Sequence, residues 1–186
     1  MKSTRQRRLM VEALEPRLCL SAPQLVQRFQ LPQDGSYTGS AFAASPLIAD
    51  LDGDGKAQEV LVAAAGGRLL ALKTDGNGNT SIWRQYLSSN TAYNFKATPV
   101  IVNLPNGHKG IFAAQGRDEL NPGKGLSEPG LVFGWDAQTG QILPGWPRDQ
   151  GRNASNNFEA GSFGALGSGD IDGDGQPEIL VTSHST

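Results

Sequence analysis

With 186 residues, 38% of them hydrophobic, and 24 glycines, the chain is long enough to bury a core, and its formal net charge of −2 conceals an asymmetry: residues 1–28 carry six Lys/Arg against two Glu, a net of +4, which leaves −6 for the remainder. That acidic remainder has no basic stripe to neutralise phosphates, which argues against a nucleic-acid partner, and no run of about 18 apolar residues to form a transmembrane segment. The single cysteine, Cys19, excludes an internal disulfide framework and any multi-cysteine metal site.

The first residues, Met-Lys-Ser-Thr-Arg-Gln-Arg-Arg, carry the charge of an export signal, but Glu12, Glu15 and Arg17 interrupt the apolar stretch of about 7–15 residues that must follow. An ordinary signal peptide is a poor fit. The run Leu14-Glu15-Pro16-Arg17-Leu18-Cys19-Leu20-Ser21-Ala22 resembles the LEPR-XLL segment found ahead of large, repeat-rich surface proteins of certain bacteria. It matches letter for letter over Leu14–Arg17, and it has Cys19 where that family has an aliphatic residue. The resemblance implies that residues 1–22 are a targeting segment and that the destination is extracellular or the cell surface, in the bacterial envelope. Without it the segment is a basic tail. Residues 23–44 follow as a linker or, through Gln24–Leu31, as an outer closing strand.

From residue 45 onward, short apolar runs alternate with Gly, Asn, Asp and Pro, and no helical period is sustained, which is the pattern of an all-β protein. Ser45–Asp50, Val60–Ala65, Arg68–Lys73 and Ser81–Leu87 predict four strands within 45–90, turning at Gly66-Gly67 and Asp75–Asn79. Thr98–Asn103, Gly110–Gln115, Leu131–Asp136 and Gln141–Trp146 predict four more within 98–148, with a turn at Ala137–Gly140 and a Gly/Pro-rich excursion over Gly116–Gly130. Gly164–Asp170 and Ile179–Ser183 begin a third set in 164–186. The connections that follow each first strand start at Asp50, Asn103 and Asp170, spaced by 53 and 67 residues. Four-stranded propeller blades repeat at about 40–50 residues and lengthen by insertion. The expected architecture is therefore a set of four-stranded antiparallel β-propeller blades, incomplete at about two and a half. On that expectation the chain is a piece of a longer protein, its partners include the missing blades, and it does not behave as a self-contained globule.

The connection at 170 carries the chemistry. Asp170, Asp172 and Asp174 occupy alternate positions, Gly173 and Gly175 allow the backbone to curl so that the carboxylates converge, and Glu178 follows before an apolar strand. Three converging carboxylates repel one another until a cation joins them. Ca²⁺, with oxygen ligands at roughly 2.3–2.6 Å, suits this set, with a main-chain carbonyl near Gln176 and the Glu178 carboxylate completing the shell. An EF-hand is excluded, because its twelfth position must be Glu and here it is Val181. The phrase recurs as Asp50-Leu51-Asp52-Gly53-Asp54-Gly55-Lys56-Ala57-Gln58-Glu59. In this copy the acid arrives one residue late, at Glu59 beyond Gln58, so the loop either bulges by a residue or loses a ligand. The connection Asn103-Leu104-Pro105-Asn106-Gly107-His108 keeps the position without the carboxylates and is assigned no ion.

A D-x-D-G-D-G-x-x-E loop between the first two strands of each repeat is similar to the FG-GAP (integrin-α-type) and VCBS repeats, and Leu131-Val132-Phe133-Gly134-Trp135-Asp136 with Thr139–Pro147 looks like the last two strands of such a blade. The resemblance covers about residues 45–186. It implies a Ca²⁺-binding propeller and a calcium-stabilised extracellular or cell-surface protein for adhesion or ligand binding, non-catalytic, with a surface protein or a carbohydrate as ligand. The alternative within that family is the propeller of a calcium-dependent polysaccharide lyase, whose base, a Lys, Arg or His facing the ion, has no located candidate. The turn Asp136-Ala137-Gln138-Thr139-Gly140 also resembles one in pyrroloquinoline-quinone dehydrogenases, but those propellers lack the acidic loops. His108 and His184 are expected at the surface. Trp83, Trp135 and Trp146 are expected to pack between blades, the alternative being stacking on sugars.

Overall fold

The computed structural model describes residues 44–64, 66–74, 80–87, 94–116, 130–150 and 164–182. Residues 1–22, expected to be a targeting segment, Gln24–Leu31, expected as a linker or outer closing strand, the excursion beyond Gly116 and His184 lie outside the described residues. Among the described residues there are eleven strands and no helix, hence none that is long and apolar enough to cross a membrane. The strands form antiparallel sheets of four, five and two strands, stacked face to face in chain order and not closed on themselves.

The first sheet is a meander of β1 (Leu47–Ala49), β2 (Glu59–Ala64), β3 (Arg68–Thr74) and β4 (Thr80–Leu87). Its two inner strands are apolar at successive positions, and because side chains alternate across a strand, both of its faces are apolar. Leu61, Ala63, Leu69, Ala71 and Tyr86 face one way, and Val60, Ala64, Leu70 and Leu72 face the other. The second sheet contains β5 (Asn94–Phe95), β6 (Val100–Asn103), β7 (Lys109–Gly116), β8 (Leu131–Asp136) and β9 (Arg148–Asp149). Here β7 pairs with β8 along one edge, and with β6 near its start and β5 at its end along the other. Ile111, Ala113, Phe133 and Trp135 face the first sheet, whereas Phe112, Ala114 and Val132 face the hairpin of β10 (Gly167–Gly169) and β11 (Glu178–Leu180).

An aromatic cluster fills the joint between the first two sheets. Trp135 stacks on Phe133 at 5.4 Å, Phe95 meets both edge-on at 5.7 and 5.9 Å, and Tyr86 lies tilted against Trp135 at 6.0 Å. These separations are those at which aromatic pairs attract beyond simple area burial. Burial pushes the Tyr86 phenol up from its ordinary pKa, and its hydroxyl donates to the Ala137 carbonyl at 2.9 Å. Trp146 lies edge-on to Phe112 at 4.8 Å on the opposite face, and Trp83 packs partly buried against the first core. Gly134 makes the Phe112–Trp146 contact possible, since a Cβ there would stand 2.6 Å from Phe112 and 3.1 Å from Trp146.

One expectation needs correction. The strand expected at Gln141–Trp146 does not form: only the isolated bridge Trp135↔Ile142 remains, and pairing with β8 resumes at β9. Pro144 and Pro147 have no N–H to offer a ladder, and the chain turns through the Trp146 N–H to Leu143 carbonyl bond at 3.1 Å. The strand β5 falls between the two units that the sequence pattern predicts. Its Phe95 is 2% exposed and belongs to the aromatic cluster.

Candidate metal centres

The two Asp-Gly phrases fold into the same loop. Asp50 accepts the Gly53 and Gly55 N–H groups at 2.8 and 2.9 Å, Asp52 accepts that of Asp54 at 3.1 Å, and Asp54 accepts that of Lys56 at 2.8 Å. The second loop repeats the set: Asp170 accepts from Gly173 and Gly175 at 2.7 and 3.0 Å, Asp172 from Asp174 at 3.1 Å, and Asp174 from Gln176 at 2.7 Å. Short acidic side chains that bond the backbone two to five residues on hold a loop in place of a ladder. The curl needs left-handed residues, and Gly53, Gly55, Gly173 and Gly175 supply them at φ 82, 83, 81 and 87°.

A fifth bond ties each loop to its strand. Glu59 Oε2 accepts the Leu51 N–H at 2.9 Å, and Glu178 Oε2 accepts the Ile171 N–H at 2.7 Å. The two glutamates therefore hold the same place, although the pairings Ala49↔Glu59 and Gly169↔Glu178 make the first loop one residue longer. The extra residue is absorbed in a tight turn, where Gln58 N–H donates to the Lys56 carbonyl at 2.9 Å. The first copy bulges by one residue, and Glu59 takes the hydrogen-bonding place of Glu178.

Carboxylate oxygens of Asp50, Asp52 and Asp54 come within 4.8 Å of one another in the first loop, and those of Asp170, Asp172 and Glu178 do so in the second. Either set could bind a metal ion, and an all-oxygen donor set suits a hard cation. Asp174 stays out of the second cluster and Glu59 out of the first. Gln176, expected to lend a carbonyl, and its counterpart Lys56 donate their N–H groups to Asp174 and Asp54, and the Lys56 carbonyl is engaged by Gln58.

The loops differ in what faces them. In the first, the Lys73 ammonium bonds Asp52, lies 3.4 Å from Glu59 Oε1 and 3.7 Å from Asp54 Oδ2. The hydrogen bond from Lys73 holds the Asp52 carboxyl below its usual range, and the same bond holds Lys73 above its own against desolvation. Glu59 is fully buried, and its Oε1 accepts no hydrogen bond, so Lys73 is its only compensating charge among the described residues. Leu51 sits in the core at 0% exposure, and Gly53 abuts the Gln138 amide. In the second loop the matching Ile171 is 64% exposed, and no Lys or Arg among the described residues pairs with the acids.

The connection Asn103–His108 reverses the arrangement. Asp136 pairs with Gly110 as Lys73 pairs with Glu59, so here the third strand supplies the acid and the loop supplies the donors. His108 Nδ1 reaches Asp136 at 2.7 Å, Asn106 Nδ2 at 3.4 Å, and the Gln138 and Thr139 N–H groups at 3.0 Å each. Burial pushes the Asp136 carboxyl up, but these donors, the Thr139 N–H foremost, outweigh it and hold the group below its usual value. The first sheet grips the following turn through Tyr86 and through Arg84, which donates to the Thr139 carbonyl at 2.9 Å.

No protein-family model, no curated protein and no solved structure matches the chain. What the site does must be argued from the two loops themselves.

Proposed function

We propose that the chain is a run of FG-GAP/VCBS-like β-propeller blades whose acidic loops take Ca²⁺ as a structural ion, in an extracellular or cell-surface protein that binds a surface protein or a carbohydrate. The observation that carries this is the repetition of five hydrogen bonds in two loops a whole sheet apart, each presenting converging carboxylate oxygens. The residues that would hold the ion in the second loop are Asp170, Asp172 and Glu178, and bound there it would supply only charge neutralisation and fixed strand spacing. A loop joining two paired strands converts binding energy into stability, since the unfolded chain lacks the site. External calcium suffices for weak sites, with dissociation constants of about 10⁻⁴–10⁻³ M in extracellular modules.

A catalytic role draws less support. A lyase base must be neutral to take a proton, and the cation facing the first loop, Lys73, is held protonated by Asp52. His108 is spent on Asp136. Thermal melting at ten times the dissociation constant should show about 1.4 kcal/mol of added stability, abolished by chelator and by Asp172→Asn. An unchanged midpoint with millimolar calcium would remove the loops from any structural metal role.

A further inference from the structure

Resting on the cation-site reading of the loops, the geometry points to a division of labour that their near-identical sequences hide: we propose that Lys73 is the resident cation of the first loop, its ammonium paired with two of the three carboxylates that could hold a divalent ion there, so that this loop does not take metal while Lys73 stays. The ammonium is shared by three carboxylates, those of Asp52, Asp54 and Glu59, and two of these, Asp52 and Asp54, belong to the cluster that could hold an ion. The position is set by the sheet. Lys73 lies directly across from Glu59 in the β2–β3 ladder, which brings its side chain to the mouth of the loop. Glu59 makes a countercharge necessary, because a fully buried carboxylate without one is strongly destabilising. A divalent ion entering the same cluster would meet the ammonium at contact range, and like charges at that distance repel strongly where water is partly excluded. Metal therefore enters the first loop only when Lys73 leaves it.

The test is a calcium titration of the full chain, followed by calorimetry and by amide resonances. In the wild type, the Gly173 and Gly175 amides should shift with calcium while those of Gly53 and Gly55 stay in place, at a stoichiometry of one. Lys73→Met should raise the stoichiometry to two, with the Gly53 and Gly55 amides now moving. If that variant folds only with calcium present, the ion has replaced the ammonium and the proposal stands. If both pairs of amides move together in the wild type, or if Lys73→Met folds and binds no more calcium than the wild type, the proposal fails. Should Lys73→Met not fold at all, the wild-type amides decide. Asp172→Asn separates the two ideas: if it binds as much calcium as the wild type, the second loop is not a metal site, whatever Lys73 does.

Discussion

The first and second acidic loops share the same glycine dihedrals, the same Asx-type bonds and the same glutamate reaching back to the second residue of the loop, yet among the described residues the first is covered by the neighbouring sheet and the second is exposed. Leu51 is fully buried beneath the turn that follows β8, and its counterpart Ile171 is 64% exposed. Glu59 is buried against a lysine, and its counterpart Glu178 is partly exposed with no Lys or Arg partner among the described residues. Local sequence thus sets the loop backbone, which the chain can build from its own N–H groups. The energy of the loop is set by the sheet packed on it, and that differs between the copies.

The sharpest way to break the comparison is through the residue after the first aspartate. Leu51→Ala removes a fully buried side chain from the joint between two sheets and should cost about 3 kcal/mol, whereas Ile171→Ala should stay within about 0.5 kcal/mol. Urea denaturation would measure both. Equal costs would mean that the first loop is not anchored by its neighbour. A smaller contrast is expected from the glutamates. Glu59→Ala leaves the buried Leu51 N–H without an acceptor and should cost about 2 kcal/mol; Glu178→Ala exposes its N–H to water and should cost less than about 1 kcal/mol. If the two were alike, the burial of Glu59 would carry no energetic weight.

The strands and the two acidic loops were legible in the sequence, whereas the contrast between the loops was not. The alternation of apolar runs with Gly, Asn, Asp and Pro was enough for the strands β1 to β4, β6 to β8 and the last hairpin, because period-two patterning and glycine-rich turns are local signals. The fourth strand of the second unit misled for an equally local reason: Gln141-Ile142-Leu143 looks extended, but the prolines at 144 and 147 deny it a ladder. Lys73 escaped notice through register. A two-residue turn at Gly66-Gly67 would set Glu59 opposite Thr74, but the ladder pairs Ala64 with Arg68, so three residues form the connection and Glu59 faces Lys73. One residue of slip reassigns every cross-strand partner. The reversal at Asp136 was hidden for the same reason, since that acid and His108 meet only across the β7–β8 pairing.

The connection Asn103–His108 offers the finest test, because its staple is made by hydrogen bonds to one carboxylate and needs no ion. Asp136 is held below its ordinary value of 3.8. A carboxyl whose pKa is lower in the folded state contributes stability that is complete above the unfolded value and is lost as pH falls through the folded one. The wild type should therefore lose stability below pH 3.8 more steeply than Asp136→Asn, which has no charge there to titrate. The groups facing the carboxylate are His108, Asn106 and the Gln138 and Thr139 N–H groups, and the buried Tyr86 hydroxyl lies on the same turn through Ala137. The Asp52–Lys73 pair titrates identically in both proteins and cancels in the difference. This is the smallest effect and the one most specific to a single group. Thermal unfolding between about pH 2 and pH 5 would record it. Parallel curves across that range would show that Asp136 does not hold the connection through its charge, and the mirror-image relation between the middle connection and the first loop would fall with it.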